Sequence, residues 1–137
     1  MQKCRIQLLG SLQFVRGNHV HTRFRTHKTA CLLAYLALHP GLQPREVLAD
    51  LIWPDDAPEA GRHSLRMALS SLRRQLETSD SQQEREELFE SNRFAVGLKS
   101  AMFETDVGDF EAAIRQAHQS TNDERRAHWN SQAVSLY

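Results

Sequence analysis

One segment of the 137-residue chain reads PEAGRHSLRMALSSLRRQLE and runs from Pro58 to Glu77. Proline suits the first position of a helix, because its fixed φ is already helical and its missing N–H would have no intrahelical partner there. Leucines then recur at intervals of four, three and four residues, at Leu65, Leu69, Leu72 and Leu76. This spacing places them on one face of a helix of about five turns, and we expect that face to lie against the core.

The opposite face of this helix is basic. At about 100° per residue, the side turned away from the leucines carries a mostly polar row: Glu59, His63, Arg66, Met67, Ser70 and Arg74. Arg62 and Arg73 flank this row. The planar guanidinium group matches both phosphate oxygens and the edge of guanine, and the major groove of B-form DNA admits one α-helix. The shorter side chains in the row suit contacts with base edges between the arginines. The row therefore predicts a DNA-contacting helix, with an ordinary solvated face as the alternative interpretation.

Two helical segments precede the arginine-bearing helix. Residues 27–39 are apolar nearly all round, which is typical of a helix in the middle of a core. Pro44 suits the start of a second helix, whose predicted apolar face holds Val47, Leu48, Leu51 and Ile52. Trp53-Pro54 ends it, because the residue before a proline is disfavoured in α geometry. A short helix, a break and an arginine-faced helix follow one another in the order of a helix-turn-helix motif.

Short strands are predicted on both sides of the three helices. Apolar and polar residues alternate over residues 4–8, 12–14 and 20–24, with Gly10 and Gly17 at the turns, so these segments predict an N-terminal antiparallel sheet. Cys4, Ile6, Phe14 and Val20 belong to its predicted apolar positions. After a polar loop at residues 79–87, a hairpin is predicted.

The predicted hairpin spans residues 88–98, with its turn at Ser91-Asn92-Arg93. Such a hairpin stands where the wing of a winged helix would lie, so Arg93 could enter a minor groove or touch a phosphate; a solvated turn residue is the alternative. The elements together predict an α+β fold: a winged helix with an N-terminal antiparallel sheet, three helices and a C-terminal hairpin wing. Two further helices are expected after Asp106, separated by a break at residues 120–122.

The charge is divided unevenly along the chain. Lys+Arg and Asp+Glu both number 17, which makes the formal net charge zero. Residues 1–76 nevertheless hold eleven basic and five acidic side chains, a balance of +6, and residues 77–137 hold six basic and twelve acidic ones, a balance of −6. A basic half of this kind can meet a polyanion. The longest apolar stretch, residues 29–38, is too short to span a bilayer, so no membrane association is expected.

Catalytic and metal sites are not expected. The seven histidines are scattered, and a zinc site from His19, His21 and Cys31 is less favoured than surface histidines and a core cysteine. Asp106 and Asp109 suit the N-terminal dipole of a helix better than acid–base catalysis. The chain has only two cysteines, Cys4 and Cys31, so a disulfide framework is not expected. We expect the protein to lie in a reducing cytoplasm. We therefore predict a protein that is not an enzyme and that holds no metal or cofactor.

An ordered series of motifs resembles a known family. The segments are LLGSL at 8–12, ACLLAYLAL at 30–38, REVL at 45–48, LIWPD at 51–55 and SLRMALSSLRRQL at 64–76. In this order they resemble the DNA-binding domain of SARP-type transcriptional activators, the antibiotic regulatory protein family, which is an OmpR-type winged helix. The tail, around residues 106–110 and 133–137, is similar to the opening of the bacterial transcriptional activator domain, an all-helical, tetratricopeptide-like module. The resemblance implies a winged-helix domain at 1–100 and a truncated helical domain at 101–137.

The resemblance implies a sequence-specific promoter-binding activator of bacterial transcription. Its partners would be double-stranded promoter DNA, a second protomer on a direct repeat and RNA polymerase. Polymerase contact is expected at the loop around residues 54–59, through Asp55, Asp56 and Glu59. The implied DNA-facing set combines the basic face with the hairpin tip: Arg62, His63, Arg66, Ser70, Arg73, Arg74 and Arg93.

Two positions depart from the family pattern. Arg93-Phe94 stands where a Gly-Tyr pair is usual in the wing, and Gln43 stands where a serine or threonine usually caps the second helix. The alternative function is a protein-interaction module, in which a winged helix and acidic C-terminal helices bind another protein without DNA.

Overall fold

A computed structural model of the protein describes residues 4–77, 88–119 and 123–136. In these ranges the strands are β1 Cys4–Gln7, β2 Gln13–Arg16, β3 His19–His21, β4 Gln43–Pro44, β5 Phe89–Ser91, β6 Ala95–Leu98 and β7 Phe103–Thr105. The helices are α1 His27–Leu38, α2 Arg45–Ile52, α3 Pro58–Leu76, α4 Asp106–Gln119 and α5 Asp123–Leu136. The described residues thus form a mixed α+β structure with two sheets, which confirms the predicted fold class at this level.

The chain divides into two compact units. One unit is Arg23–Phe103, and the other combines Met1–Thr22 with Glu104–Tyr137. The second unit is discontinuous because β7, which follows the hairpin, pairs with β1 near the start of the chain. The predicted domain boundary between residues 100 and 101 stays a prediction. The predicted loop at 79–87 and the break at 120–122 lie outside the described residues.

Helix α1 packs against three other elements of the Arg23–Phe103 unit. The hydroxyl of Thr26 accepts a hydrogen bond of 3.0 Å from the backbone N–H of Thr29, which caps the N-terminus. Leu32, Leu33 and Leu36 are fully buried, as expected for a helix with little polar surface. Helix α1 contacts α2, α3 and β6, but Cys31 is exposed and Leu38 is 49% exposed. The prediction of a helix buried nearly all round, with a core cysteine, is therefore wrong for the face that holds these two residues.

Helix α2 starts at Arg45, one residue after the predicted start at Pro44. Pro44 lies at the N-cap, and no side chain in the described part of the chain caps the helix. The side-chain amide of Gln43 donates to the carbonyl of His39 at 3.2 Å instead. The predicted apolar face of α2 is wrong for two of its members: Val47 and Leu51 are each 50% exposed, because Leu48 and Ala49 are the residues that turn into the core.

A three-stranded sheet in the order β4-β6-β5 completes this unit. Strands β5 and β6 pair antiparallel, with Phe89 opposite Leu98, which confirms the predicted hairpin. Gly97 lies against the backbone of Gly41, whose φ is +95°, and a Cβ at Gly97 would lie 2.6 Å from the carbonyl carbon of Gly41. Glycine is therefore required where the hairpin passes the turn after α1.

The other unit is built on the sheet β3-β2-β1-β7. Cys4, Ile6 and Phe14 are buried, as their alternation predicts. The register pairs Phe14 with His21 and Val15 with Val20, so Val20 lies one residue out of the predicted phase and is 55% exposed. The strand also ends at His21, before the predicted limit at residue 24.

Helices α4 and α5 pack on each other and α4 contacts β1. Asp106 is buried and accepts hydrogen bonds from the backbone N–H groups of Leu8 and Leu9, at 2.8 and 2.9 Å. Asp109 pairs with Arg5 at 2.9 Å. The two carboxylates therefore join the start of α4 to β1 and to the two residues that follow it, in addition to their expected place at a helix N-terminus.

Candidate nucleic-acid interface

The orientation of α3 matches the expectation from its sequence. Its buried residues are Gly61, Leu65, Ala68, Leu69, Leu72 and Leu76. The exposed ones include six members of the basic row and its flank: Arg62, His63, Arg66, Met67, Ser70 and Arg74. The predicted phase of the helix is confirmed, and its nineteen residues present one apolar and one basic face.

Arginines on α3 differ in how they are held. Arg62 lies 3.9 Å from the carboxylate of Glu46 on α2, and both side chains are largely exposed. A solvent-exposed ion pair with this separation contributes little to stability. Arg62 can therefore exchange Glu46 for another anionic partner at little cost. Arg66 is exposed and lies one turn before Ser70 on the same face.

Arg73, another member of the predicted set, contacts the β5–β6 hairpin of the same chain. Its Nη2 donates to the hydroxyl of Ser91 in β5 at 2.8 Å, and its guanidinium carbon lies 5.6 Å from the centre of the Phe89 ring. Its Nε is buried and has no hydrogen-bond partner among the residues that the structure describes. These contacts attach α3 to the hairpin; a contact of Arg73 with DNA stays a prediction.

The hairpin turn is closed by a side chain. The Oδ1 of Asn92 accepts from the backbone N–H groups of Phe94 and Ala95, both at 2.8 Å, and the N–H of Asn92 donates to the carbonyl of Ala95 at 2.9 Å. Among the described residues, no residue other than glycine has a positive φ. The turn therefore forms without the glycine that the family pattern has there, because asparagine makes the local hydrogen bonds of an Asx turn.

Arg93 and Phe94 stand at the tip of this hairpin. Both are exposed, and Phe94 is 76% exposed, which is unusual for a large aromatic residue. The guanidinium carbon of Arg93 lies 5.7 Å from the centre of the Phe94 ring. The tip therefore presents a cation next to an apolar ring.

Arg45 is a basic residue of this surface that the sequence analysis missed. Its backbone N–H donates to the carbonyl of Phe94 at 2.8 Å, and its Nε donates to the carbonyl of Asn92 at 3.3 Å. Burial lowers the pKa of Arg45 below its ordinary value, and the positive charges of Arg73 and Arg66 lower it further. The charges of Arg73 and Arg66 on α3 therefore act on Arg45 at the start of α2. No local pattern signals this interaction, because the three residues come from different turns of α2 and α3.

The acidic residues assigned to polymerase contact are all exposed. Asp55 and Asp56 lie in the connection between α2 and α3, where the N–H of Asp56 donates to the carbonyl of Trp53 at 3.3 Å. Glu59 lies in the first turn of α3 rather than in the loop, where a carboxylate favours the helix dipole. Their contact with a partner stays a prediction.

Comparisons with known proteins leave the family open. Comparison with models of protein families found none that matches this chain, and comparison with curated proteins found no significant match. Within the described ranges, no group of three His, Cys, Asp or Glu side chains could hold a metal ion. None of the helices described combines the length and apolar character needed to span a bilayer.

Proposed function

We propose that this chain is a sequence-specific DNA-binding regulator of transcription with a winged-helix domain. The order of elements supports this: α2, a connection, the arginine-bearing α3 and then the β5–β6 hairpin. In a winged helix the second helix of the motif enters the major groove and the hairpin lies beside it. The sheet β4-β6-β5, which holds the hairpin next to the start of α2, fits the same arrangement.

One observation carries the proposal. The exposed face of α3 holds Arg62, Arg66 and Arg74, while Arg45 and Arg73 stand at its edge beside the hairpin. Guanidinium groups repel one another, so collecting them costs stability unless a polyanion binds there. Duplex DNA is such a partner, since it carries phosphates on both sides of the groove that an α-helix fills.

In the major groove, some of these side chains would contact bases and others would bind phosphates. Arg66, Ser70 and His63 are exposed on α3 and would contact base edges, while Arg62, Arg73 and Arg74 would bind phosphates. Arg93 would contact the minor groove or a phosphate from the hairpin tip. Arg45 joins this set from the start of α2.

The wider assignment follows the resemblance to SARP-type activators. In this proposal the chain binds promoter repeats as tandem protomers, in the cytoplasm of a bacterium, and activates transcription by contacting RNA polymerase through Asp55, Asp56 and Glu59. Residues 1–100 would form the OmpR-type winged helix, and residues 101–137 would open the tetratricopeptide-like activator domain. Helices α4 and α5, which pack on each other, fit the first helical pair of such a module.

DNA binding is tested by selecting duplexes from a randomised pool and measuring retardation of the selected duplex across a salt series. We expect specific retention that falls steeply with salt, with about −0.9 in the slope of log K against log salt for each phosphate contacted. The Arg66→Ala variant should lose specificity, and Arg115→Ala on the exposed side of α4 is the matched control. Absence of binding at low salt would contradict the proposal and favour the protein-interaction module.

Polymerase contact needs a separate test. The double variant Asp55→Asn with Asp56→Asn should bind the selected duplex as the parent protein does, because neither residue lies on the exposed face of α3. Transcription in vitro from a promoter carrying that duplex should fall to the level seen without the protein. Undiminished transcription would rule out these carboxylates as the contact.

A further inference from the structure

A cavity of about 220 Å³ opens beside α3 in the Arg23–Phe103 unit. It is lined by the first turn of α1 and its flank, by the end of α2 and by α3, through Arg25, Thr26, Trp53, His63 and Met67. Trp53 is nearly buried, whereas Arg25, His63 and Met67 are exposed. The cavity thus has an apolar wall and a cationic, polar rim.

The cavity lies on the other edge of the basic face from the hairpin. Going round α3 at about 100° per residue, Arg73 lies about 20° to one side of Arg66, while His63 and Met67 lie about 60° and 100° to the other side. Arg73 contacts the hairpin, and Met67 lines the cavity. The outward-facing row of α3 therefore has the hairpin along one edge and this cavity along the other.

The electrostatics of the rim favour an anion. Arg25, which lines the cavity, directly precedes the N-cap residue Thr26. Lys28 lies two positions after Thr26, outside the lining, and the first turn of α1 contains no acidic residue. Basic side chains at a helix N-terminus add to the positive end of the helix dipole, which is unfavourable until a negative group binds. The wall formed by Trp53 and Met67 offers an apolar surface of the kind on which a sugar ring packs.

We infer that the cavity binds a sugar–phosphate unit, with the phosphate at Arg25 and the first turn of α1 and the pentose against Trp53 and Met67. The inference rests on the proposed function, which brings a duplex to α3. A helix in the major groove has a phosphodiester backbone on each side. The hairpin and Arg45 would meet one backbone, and the cavity would hold a unit of the other.

The test compares Arg25→Ala with Arg23→Ala. Arg23 is exposed and close in sequence, it does not line the cavity, and its carbonyl accepts from Gln75 whatever its side chain is. On the selected duplex, Arg25→Ala should weaken binding about tenfold and reduce the salt slope by about one, while Arg23→Ala should do neither. Duplexes with single uncharged methylphosphonate linkages then identify the phosphate: at one position the parent protein should lose affinity and Arg25→Ala should lose none further.

A second experiment distinguishes a sugar–phosphate unit of a DNA duplex from that of a free nucleotide. A deoxynucleoside monophosphate is titrated into the parent protein and into Arg25→Ala, and the backbone amide signals of Thr26 and His63 are followed by NMR. If the duplex binds and Arg25→Ala behaves as Arg23→Ala does, the cavity inference is overturned while DNA binding stands. If no duplex binds but the mononucleotide shifts these amides only in the parent protein, DNA binding fails and the cavity stands as a nucleotide site. Failure of both ligands overturns both.

Discussion

The two faces of α3 come from the same nineteen residues, yet different forces act on them. On the inner face, Leu65, Leu72 and Leu76 are almost completely buried, so each contributes through apolar area removed from water and through close packing. On the outer face, arginines and short polar side chains remain in water, where a single charge adds little to folding. Substitutions on the inner face of α3 should therefore change the stability of the protein, and substitutions on the outer face should change its binding.

The largest expected effect is on the inner face. Leu69→Ala should lower the free energy of unfolding by about 2–5 kcal/mol, because it opens a cavity under α3. Met67→Ala, two residues away and 41% exposed, is the matched control and should change it by less than about 0.5 kcal/mol. Chemical denaturation followed by circular dichroism measures both, and equal effects would show that the two faces are not distinct.

On the outer face of α3, a substitution should change DNA binding and leave stability nearly unchanged. Arg66→Ala should weaken specific DNA binding by about 1–3 kcal/mol while the melting temperature stays nearly unchanged. Arg66→Lys sharpens the result, because lysine keeps the charge but not the planar fork. It should retain the salt dependence and lose base preference. An Arg66→Ala variant that unfolds as readily as Leu69→Ala would make Arg66 structural instead.

Arg73 lies at the border between the faces, so its loss should appear in both measurements. Arg73→Ala should cost about 1–2 kcal/mol of stability, from the hydrogen bond to Ser91 and the contact with the Phe89 ring. A double-mutant cycle with Ser91→Ala isolates the hydrogen bond. Additive effects of the two substitutions would show that the hydrogen bond between Arg73 and Ser91 contributes nothing.

The smallest expected effect is at the hairpin turn. Asn92→Ala removes the oxygen that accepts from Phe94 and Ala95, and it should cost about 0.5–1.5 kcal/mol of stability. Asn92→Asp keeps that acceptor and should restore stability, but its negative charge should weaken DNA binding. Amide hydrogen exchange at Phe94 and Ala95 reports the turn directly. Equal exchange in all three proteins would mean that the side chain does not close it.

Local patterns were enough to predict the helices and the hairpin. The predicted α1 and α3 agree with the structure within one residue at each end. The first hairpin strand is shifted by one residue, and the second begins one residue later than predicted and ends where predicted. Leucine spacing and proline positions are local properties, and the helix period translates them directly into a face. The same reasoning failed on α2, because Val47 and Leu48 are both apolar and the pattern alone does not say which of them turns inward.

Long-range pairings were out of reach of those patterns. Strand β4 has two residues and exists only because it pairs with β6, and β7 is a strand because it pairs with β1. Asp106 bonds to Leu8 and Leu9 across about a hundred residues of sequence. In each case the partner is defined by the packing of distant segments, which no local propensity encodes.

For the candidate site, the sequence alone is sufficient to identify a helix with a leucine face and an arginine face, since both follow from a fixed rotation per residue. Which residues the arginines contact depends on how the chain packs. Arg45 reaches Asn92, Arg73 turns back to Ser91, and Arg25 meets Trp53 and Met67 at a cavity. These juxtapositions arise where separate elements meet, because the charges that interact in space are far apart along the chain.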